Sequence, residues 1–241
     1  MVKKQTPIAP INKDLAAVQL RGRDLEYVLT QTPEICLAAV TQNGWALEYV
    51  HHQTPAICLA AVKENGWTLR HVKDQTPALC MAAVMQEGEA LKFVKDQTPA
   101  LCMAAVTQSG DALMHVQLQT PAICLAAVTQ RGAALMDVHL QTPEVCLAAV
   151  KQVGNALRHV KVQTPEVCLA AVEQHGMALI HVKKQTLGLC MAAFRNDPDA
   201  VTLIRSKALR TTVQEAIADG SLTHQETALS SPARRAPRPK M

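Results

Sequence analysis

Residues 31–52 read QTPEICLAAVTQNGWALEYVHH, and this 22-residue pattern recurs along most of the 241-residue chain. Numbered from its glutamine, the pattern is identical at positions 1, 2, 3, 6, 8, 9, 10, 14, 17 and 20 in seven successive units. An eighth unit opens with Gln-Thr-Leu in place of Gln-Thr-Pro. A fixed internal period indicates a repeat architecture. The units open at Gln31, Gln53, Gln75, Gln97, Gln119, Gln141, Gln163 and Gln185.

Each unit predicts a helix, a turn and a second helix. In the first unit, Thr32 is suited to cap a helix, and the proline that follows is suited to begin it. Gly44 can adopt the left-handed conformation that ends a helix, which places helix A at Pro33 to Asn43. Helix B, of about seven or eight residues, then runs from Trp45 to His52, because the next Gln-Thr-Pro stops it.

Short helices predict a stacked architecture, because helices of this length are marginal alone and gain most of their stability from packing. The interior must be built from small and aliphatic side chains, since 49% of the residues are hydrophobic but only 2% are aromatic. We therefore predict an all-α fold, a right-handed αα-solenoid of about eight to nine 22-residue helix-turn-helix repeats with N- and C-terminal caps.

The two ends of the chain depart from the repeat. Lys13 and Asp14 stand where later units have an aliphatic residue and a cysteine, and charges at core positions indicate an outward-facing cap. Near the other end, Asp199 to Ala218 predicts one amphipathic helix. The predicted domains are a degenerate capping repeat opening with Gln5-Thr6-Pro7 at 1–30, seven regular repeats at 31–184, a C-terminal capping repeat and helix at 185–220, and a disordered basic tail at 221–241.

One stretch of the repeat has a known counterpart. Residues 37–50, LAAVTQNGWALEYV, resemble a family of short bacterial α-helical repeats catalogued only as a domain of unknown function. The resemblance covers about residues 15–195. It implies a helical-repeat fold, and it implies no reaction, cofactor or catalytic residue.

Cysteine and glutamine recur at fixed positions of the repeat. Equivalent residues of stacked helices lie roughly 8–10 Å apart, beyond the ~7 Å that a disulfide can span between Cα atoms. No CxxC pair is present, so we predict that the cysteines are reduced, buried core residues. The glutamine at position 1 is predicted to form hydrogen bonds between successive loops. The cysteines are Cys36, Cys58, Cys80, Cys102, Cys124, Cys146, Cys168 and Cys190.

The surface of helix B varies from unit to unit and is the candidate site. An α-helical spacing places positions 15, 18, 19 and 22 on one face. Ring-bearing side chains recur at position 19, and tryptophan occupies position 15 twice, where exposure would be unusual for this residue. The candidate partner-binding residues are Trp45, Tyr49, Trp67, Arg70, His71, Phe93, His115, His159 and His181.

Structural interpretations compete with binding at this face. The rings at position 19 can be half-buried stacks between neighbouring helices, and the variation can be drift on a solvated surface. A metal site at His159 and His181 lacks a third ligand. No nucleophile–base grouping, phosphate-binding loop or paired metal-ligand motif occurs in the sequence, so we predict neither an enzyme nor a bound cofactor.

The sequence favours a cytoplasmic, non-catalytic scaffold that binds another protein through aromatic anchors at Trp45, Trp67, Tyr49 and Phe93. The alternative is a nucleic-acid-binding repeat protein whose position-21 lysines and basic tail contact phosphates. Residues 31–184 carry eleven basic and twelve acidic side chains, a net charge of −1 that disfavours this alternative. No apolar run approaches the ~18 residues of a membrane span. The position-21 lysines are Lys73, Lys95, Lys161 and Lys183.

Overall fold

The computed structural model describes residues 13–224, and every regular element in this range is helical. Longer α-helices alternate with short 3₁₀ helices, labelled η. The α-helices are α1 Lys13–Leu20, α2 Pro33–Gln42, α3 Pro55–Glu64, α4 Pro77–Gln86, α5 Pro99–Gln108, α6 Pro121–Gln130, α7 Pro143–Gln152, α8 Pro165–Gln174, α9 Leu187–Asn196 and α10 Lys207–Ala218. The 3₁₀ helices are η1 Gly22–Tyr27, η2 Gly44–Tyr49, η3 Gly66–His71, η4 Gly88–Phe93, η5 Gly110–His115, η6 Gly132–Asp137, η7 Gly154–His159, η8 Gly176–His181 and η9 Pro198–Leu203.

The chain divides between Leu140 and Gln141 into two compact units. In the first unit, each α-helix from α1 to α5 packs against the next one, and α2 to α6 each also pack against the 3₁₀ helices of their own and the preceding repeat. In the second unit, α7 to α9 pack in the same way, and α10 packs against α9 and η9. Each unit is therefore a solenoid in which a repeat contacts its neighbours, and the predicted all-α solenoid is confirmed.

Each regular α-helix begins as the sequence predicts. The Thr32 hydroxyl accepts a hydrogen bond from the Ile35 N–H at 3.3 Å, and Pro33 begins α2. The same threonine cap recurs at the start of every helix from α3 to α9. Each cap satisfies one of the N–H groups that a helix leaves unpaired at its N-terminus. The Gln-Thr-Pro motif thus fixes where a repeat begins.

Helix B is a six-residue 3₁₀ helix and not the longer α-helix that we predicted. In the first regular repeat it is η2, Gly44–Tyr49, and Val50 is already extended. A pattern of i→i+3 hydrogen bonds closes more bonds within so few residues than the i→i+4 pattern of an α-helix. Ala46 N–H donates to Asn43 O at 2.9 Å to begin it. Because η2 ends at position 19, position 22 lies outside the helix, and the predicted four-position helical face is wrong.

The glycine at position 14 is required for space and not for a left-handed turn, so the role predicted for Gly44 is wrong. Among the described residues, only Gly220 has a positive φ, at 79°. A Cβ built on Gly44 would lie 2.6 Å from Ala61 O in the next repeat. The backbones of adjacent repeats therefore approach most closely at this glycine, and a side chain would push them apart.

The constant positions of the repeat form the core. In α5, Leu101, Cys102, Ala105 and Val106 are each at most 4% exposed, and Leu113 of η5 is fully buried. The alanine at position 9 is fully buried in every repeat from α2 to α9, where a larger side chain would overpack the contact between helices.

All eight cysteines are buried, between 1% and 5% exposed, and none forms a disulfide, which confirms the predicted burial. Burial raises the pKa of each cysteine thiol above its ordinary value. Because the thiolate is the reactive form, these cysteines are inert core residues near neutral pH.

The C-terminal end continues the repeat further than predicted. The segment from Asp199 to Ala218 is not one helix, because η9 precedes a separate α10 that begins at Lys207. The Asp197 carboxylate accepts a hydrogen bond from Asp199 N–H at 3.0 Å, and Pro198 occupies the place of the usual glycine. A ninth α–3₁₀ pair is thus formed, which the change from glycine to proline concealed in the sequence.

The predicted ends lie partly outside the described residues. Lys13 and Asp14 are exposed at the start of α1, as expected of a cap. Past α10, ordered structure extends beyond the predicted boundary at residue 220, because Leu222 is only 2% exposed. The Gln-Thr-Pro opening of the predicted N-terminal cap and residues 225–241 of the predicted basic tail lie outside the described range.

Candidate functional site

The glutamine at position 1 joins successive loops by hydrogen bonds, as the sequence predicted, and thereby fixes the end of each 3₁₀ helix from η2 to η9. In the repeat of η5, Gln97 Nε2 donates to His115 O at 2.9 Å, and Gln97 Oε1 accepts from Gln117 N–H at 3.0 Å. The Cys102 thiol donates to the same oxygen at 3.5 Å. This side chain joins the loop before an α-helix to the loop after the following 3₁₀ helix. Position 19 is therefore held in place by its own backbone carbonyl.

A second side chain, at position 12, fixes the start of the 3₁₀ helix in the preceding repeat. Gly110 N–H, for example, donates to Gln130 Oε1 at 2.7 Å. Our sequence reasoning missed this contact, although every regular repeat has glutamine or glutamate at position 12 and the last has asparagine. The other such pairs are Gly22–Gln42, Gly44–Glu64, Gly88–Gln108, Gly154–Gln174 and Gly176–Asn196.

Side-chain hydrogen bonds thus hold both ends of η2, η4, η5, η7 and η8, and they present positions 15, 18 and 19 of these repeats in a fixed register. We call the surface formed by these three positions the 3₁₀ surface. Arg70 shows how they meet, since its guanidinium lies over the Phe93 ring of the next repeat at 5.7 Å. Trp67 meets the same ring, so positions 15 and 18 of one repeat contact position 19 of the next.

The two tryptophans are half-buried, so their predicted exposure on the outward face of helix B is wrong, whereas their role as binding anchors stays a prediction. Trp45 packs edge-to-face on His71 with ring centroids 5.8 Å apart, and Trp67 packs in the same way on Phe93, also at 5.8 Å. Contacts of this kind contribute about 0.5–1.5 kcal/mol beyond the area they bury. Truncating either tryptophan would therefore cost stability as well as any binding.

The remaining rings at position 19 are also half-buried between repeats, as the competing structural interpretation predicted; these are Tyr49, His115, His159 and His181. Burial lowers the pKa of His71, His115 and His181 below the ordinary histidine value, so these rings are neutral near pH 7. Glu89 at position 15 opposes this shift at His115. Tyr27, in the first repeat, differs because it is 76% exposed.

Metal coordination finds no support at the candidate histidines. Arg158 Nε donates to His159 Nε2 at 2.7 Å, which occupies one ring nitrogen. Within residues 13–224, no group of three His, Cys, Asp or Glu side chains is placed to hold a metal ion.

In the regular repeats, methionines at position 18 are the most exposed apolar side chains of the 3₁₀ surface. Met114 and Met136, both in the first unit, are 59% and 62% exposed. In the second unit Ile180 occupies the same position and is 51% exposed. None of the three was among the predicted site residues. The sequence did contain a signal for them, because apolar residues stand there at a variable position of the repeat, outside the constant core.

The position-21 lysines lie beyond the 3₁₀ helices, in the exposed loops. Lys95 Nζ donates to Lys73 O at 2.9 Å, and Lys183 Nζ donates to Lys161 O at 2.8 Å. Each of these ammonium groups thus contacts the backbone of the preceding repeat. The first unit also places Asp74 and Asp96 next to them in sequence, which interrupts the positive charge.

Comparison of the chain with protein-family models, curated proteins and solved structures found no match. The resemblance to short bacterial helical repeats therefore stays a prediction. In the part of the chain that the structure describes, no helix is both long and apolar enough to cross a membrane.

Proposed function

We propose that the protein is a non-catalytic scaffold that binds another protein through the 3₁₀ surface. The observation that carries this proposal is the separation of constant and variable positions. Positions 6, 9, 10, 17 and 20 are buried and identical in the seven regular repeats, whereas position 18 is exposed in each of them and differs in charge and size along the chain. A constant core with a varied, ordered surface is what a partner-specific repeat scaffold requires.

The chemistry of the first unit supports a protein partner. Half-buried rings at Trp45, Trp67 and Phe93 are already held by contacts within the solenoid, so binding would order few additional side chains. Exposed methionines follow at Met114 and Met136, and methionine adapts to irregular apolar surfaces. The surface therefore combines a rigid aromatic part with an adaptable apolar part.

A nucleic-acid partner is less well supported by the charges of the same surface. Position 18 carries Glu48, Arg70 and Lys92 in successive repeats, and position 19 carries Asp137. Phosphate binding would need a continuous basic stripe, and its affinity would fall steeply with salt. A protein interface tolerates mixed charges, with an apolar centre and a polar rim.

Substitutions of the exposed methionines distinguish a loss of partner affinity from a loss of stability better than substitutions of the half-buried tryptophans do. Replacing Met114 and Met136 together by alanine should weaken partner affinity by about tenfold or more, because both side chains are exposed and their loss leaves no cavity. The thermal midpoint should remain within about 2 °C of the parent protein. The measurement is calorimetric titration with the partner that the immobilised protein retains from an extract.

The matched control is Met85→Ala. Met85 is 68% exposed but lies at position 11 of α4, off the 3₁₀ surface. The Met85→Ala variant should leave the affinity for the partner unchanged. Equal losses from the control and the double variant, or a partner released by nuclease treatment, would contradict the proposal.

A further inference from the structure

An apolar groove with lysines around it lies in the second unit, between the N-terminal ends of α8 and α9. Its volume is about 700 Å³, within the range of small-molecule sites. Its apolar lining is formed by Pro165, Cys168, Leu169 and Leu189. Lys161, Lys183 and Lys184 belong to the same lining, and Lys183 Nζ donates to Lys161 O at 2.8 Å. We call this the lysine-lined groove.

The groove is enlarged at one repeat by a local change of sequence. The equivalent space between α4 and α5 has a volume of only about 160 Å³. There, position 3 of the second repeat is proline and position 4 is Ala100, whereas α9 begins with leucine followed by Gly188. A Cβ built on Gly188 would meet no atom within 4 Å, which shows the open space directly. The departure from Gln-Thr-Pro thus coincides with the enlarged groove.

The charge of the groove also differs from that of its counterpart. Position 22 is Lys184 in the lysine-lined groove and Asp96 in the smaller one. Among the described residues that line the larger groove, none is acidic. The positive charge of Lys183 reaches the groove floor, where it partly offsets the effect of burial on the pKa of the Cys168 thiol. The site therefore combines apolar walls with a positive potential.

The uncharged polar side chains of the lining are also used within the fold. Gln163 Nε2 donates to His181 O at 2.9 Å, and its Oε1 accepts from Lys183 N–H at 2.8 Å. The Thr164 and Thr186 hydroxyls accept the capping hydrogen bonds of α8 and α9. A bound peptide would find few acceptors in this groove for its own N–H groups, at a cost in free energy. A hydrocarbon chain has no such groups.

We propose that the lysine-lined groove binds a single-chain amphipathic carboxylate, a free fatty acid, with its acyl chain against the apolar walls and its carboxylate at the lysines. The basic C-terminal segment is disfavoured as an occupant, because Arg234, Arg235, Arg238 and Lys240 would meet like charges. This site is distinct from the 3₁₀ surface, and the proposal does not depend on the protein-binding function.

Calorimetric titration of the full chain with dodecanoate, below its micelle concentration, tests the proposal. We expect one saturable site, no binding of acetate, and binding of dodecyltrimethylammonium at least tenfold weaker than that of dodecanoate. Gly188→Leu should fill the groove. Lys184→Glu should replace the positive charge at position 22 by a negative one, as Asp96 does in the smaller groove. Each should weaken dodecanoate binding at least tenfold.

Ala100→Leu is the matched control, because it places the same side chain at the same position of the repeat, beside the smaller groove. It should leave dodecanoate binding unchanged. The proposal is overturned if Gly188→Leu binds as the parent does, if both leucine variants lose affinity equally, or if the cationic amphiphile binds as tightly as the carboxylate.

Discussion

Replacing Gly154 by alanine is expected to destabilise the second unit by about 2–3 kcal/mol, although it adds a single methyl group. The added Cβ would lie 2.6 Å from Ala171 O and 2.8 Å from Gln174 Oε1. The first of these atoms is backbone and cannot turn away. The second accepts the Gly154 N–H hydrogen bond, so moving it leaves a buried donor unpaired. Urea unfolding followed by circular dichroism measures the loss.

Gly188→Ala is the matched control in the same unit. Gly188 lies in the first turn of α9, and nothing stands within 4 Å of the added Cβ. Because alanine favours a helix over glycine, this variant should be neutral or more stable by up to about 1 kcal/mol. If the two variants had equal stability, close backbone contact between repeats would not be the reason for the glycine at position 14.

Deleting a whole repeat should be tolerated, whereas deleting half of one should abolish cooperative folding of the first unit. Removal of residues 97–118 joins Asp96 to Gln119, which restores the normal succession of position 22 and position 1. Gln119 keeps its own partners, since it donates to Asp137 O at 2.8 Å and accepts from His139 N–H at 3.0 Å. The interfaces on either side are regenerated because every repeat presents the same contacts.

Removal of residues 108–118 alone is the comparison. It deletes η5 together with two of the hydrogen-bond partners of Gln97, and it leaves α5 without one of the two 3₁₀ helices that it packs against. The whole-repeat variant should keep the parent's helical signal per residue and a sharp thermal transition, and the half-repeat variant should keep neither. Similar behaviour of the two variants would contradict the repeat-by-repeat account of stability.

The sequence was sufficient to predict those structural features in which one residue type has one role. Threonine before proline is suited to cap and begin a helix, so the start of each α-helix from α2 to α8 was predicted correctly. The burial of the cysteines followed from their place in the apolar run. The loop hydrogen bonds of Gln97 and its equivalents followed from the need to pair loop backbone groups.

Features set by contacts between repeats were not predictable in the same way. A six-residue segment is too short for its apolar spacing to distinguish three residues per turn from 3.6, so helix B was assigned to the wrong class. Gly44 can serve a left-handed turn or a close approach, and only the position of Ala61 O decides between them. The half-burial of Trp45 depends on His71, which lies 26 residues away in the sequence.

The candidate site was located only in part. The nine predicted residues do lie at positions 15, 18 and 19, but the tryptophans pack within the solenoid, and the exposed apolar side chains are methionines at position 18. Exposure depends on which side of a 3₁₀ helix faces the next repeat, and an α-helical spacing gives that side incorrectly. Met114 and Met136 consequently support the proposed protein-binding function more strongly than Trp45 and Trp67 do.

Photocrosslinking from two positions of one repeat tests most directly the proposal that the protein binds a partner protein through the 3₁₀ surface. A photoreactive phenylalanine derivative in place of Met114 lies on the 3₁₀ surface, and the same residue in place of Thr107 lies at position 11 of α5, which is also exposed. Binding through the 3₁₀ surface predicts a discrete protein adduct from position 114 and none from position 107. Adducts of equal yield from both positions, or an adduct that consists of nucleic acid, would contradict it.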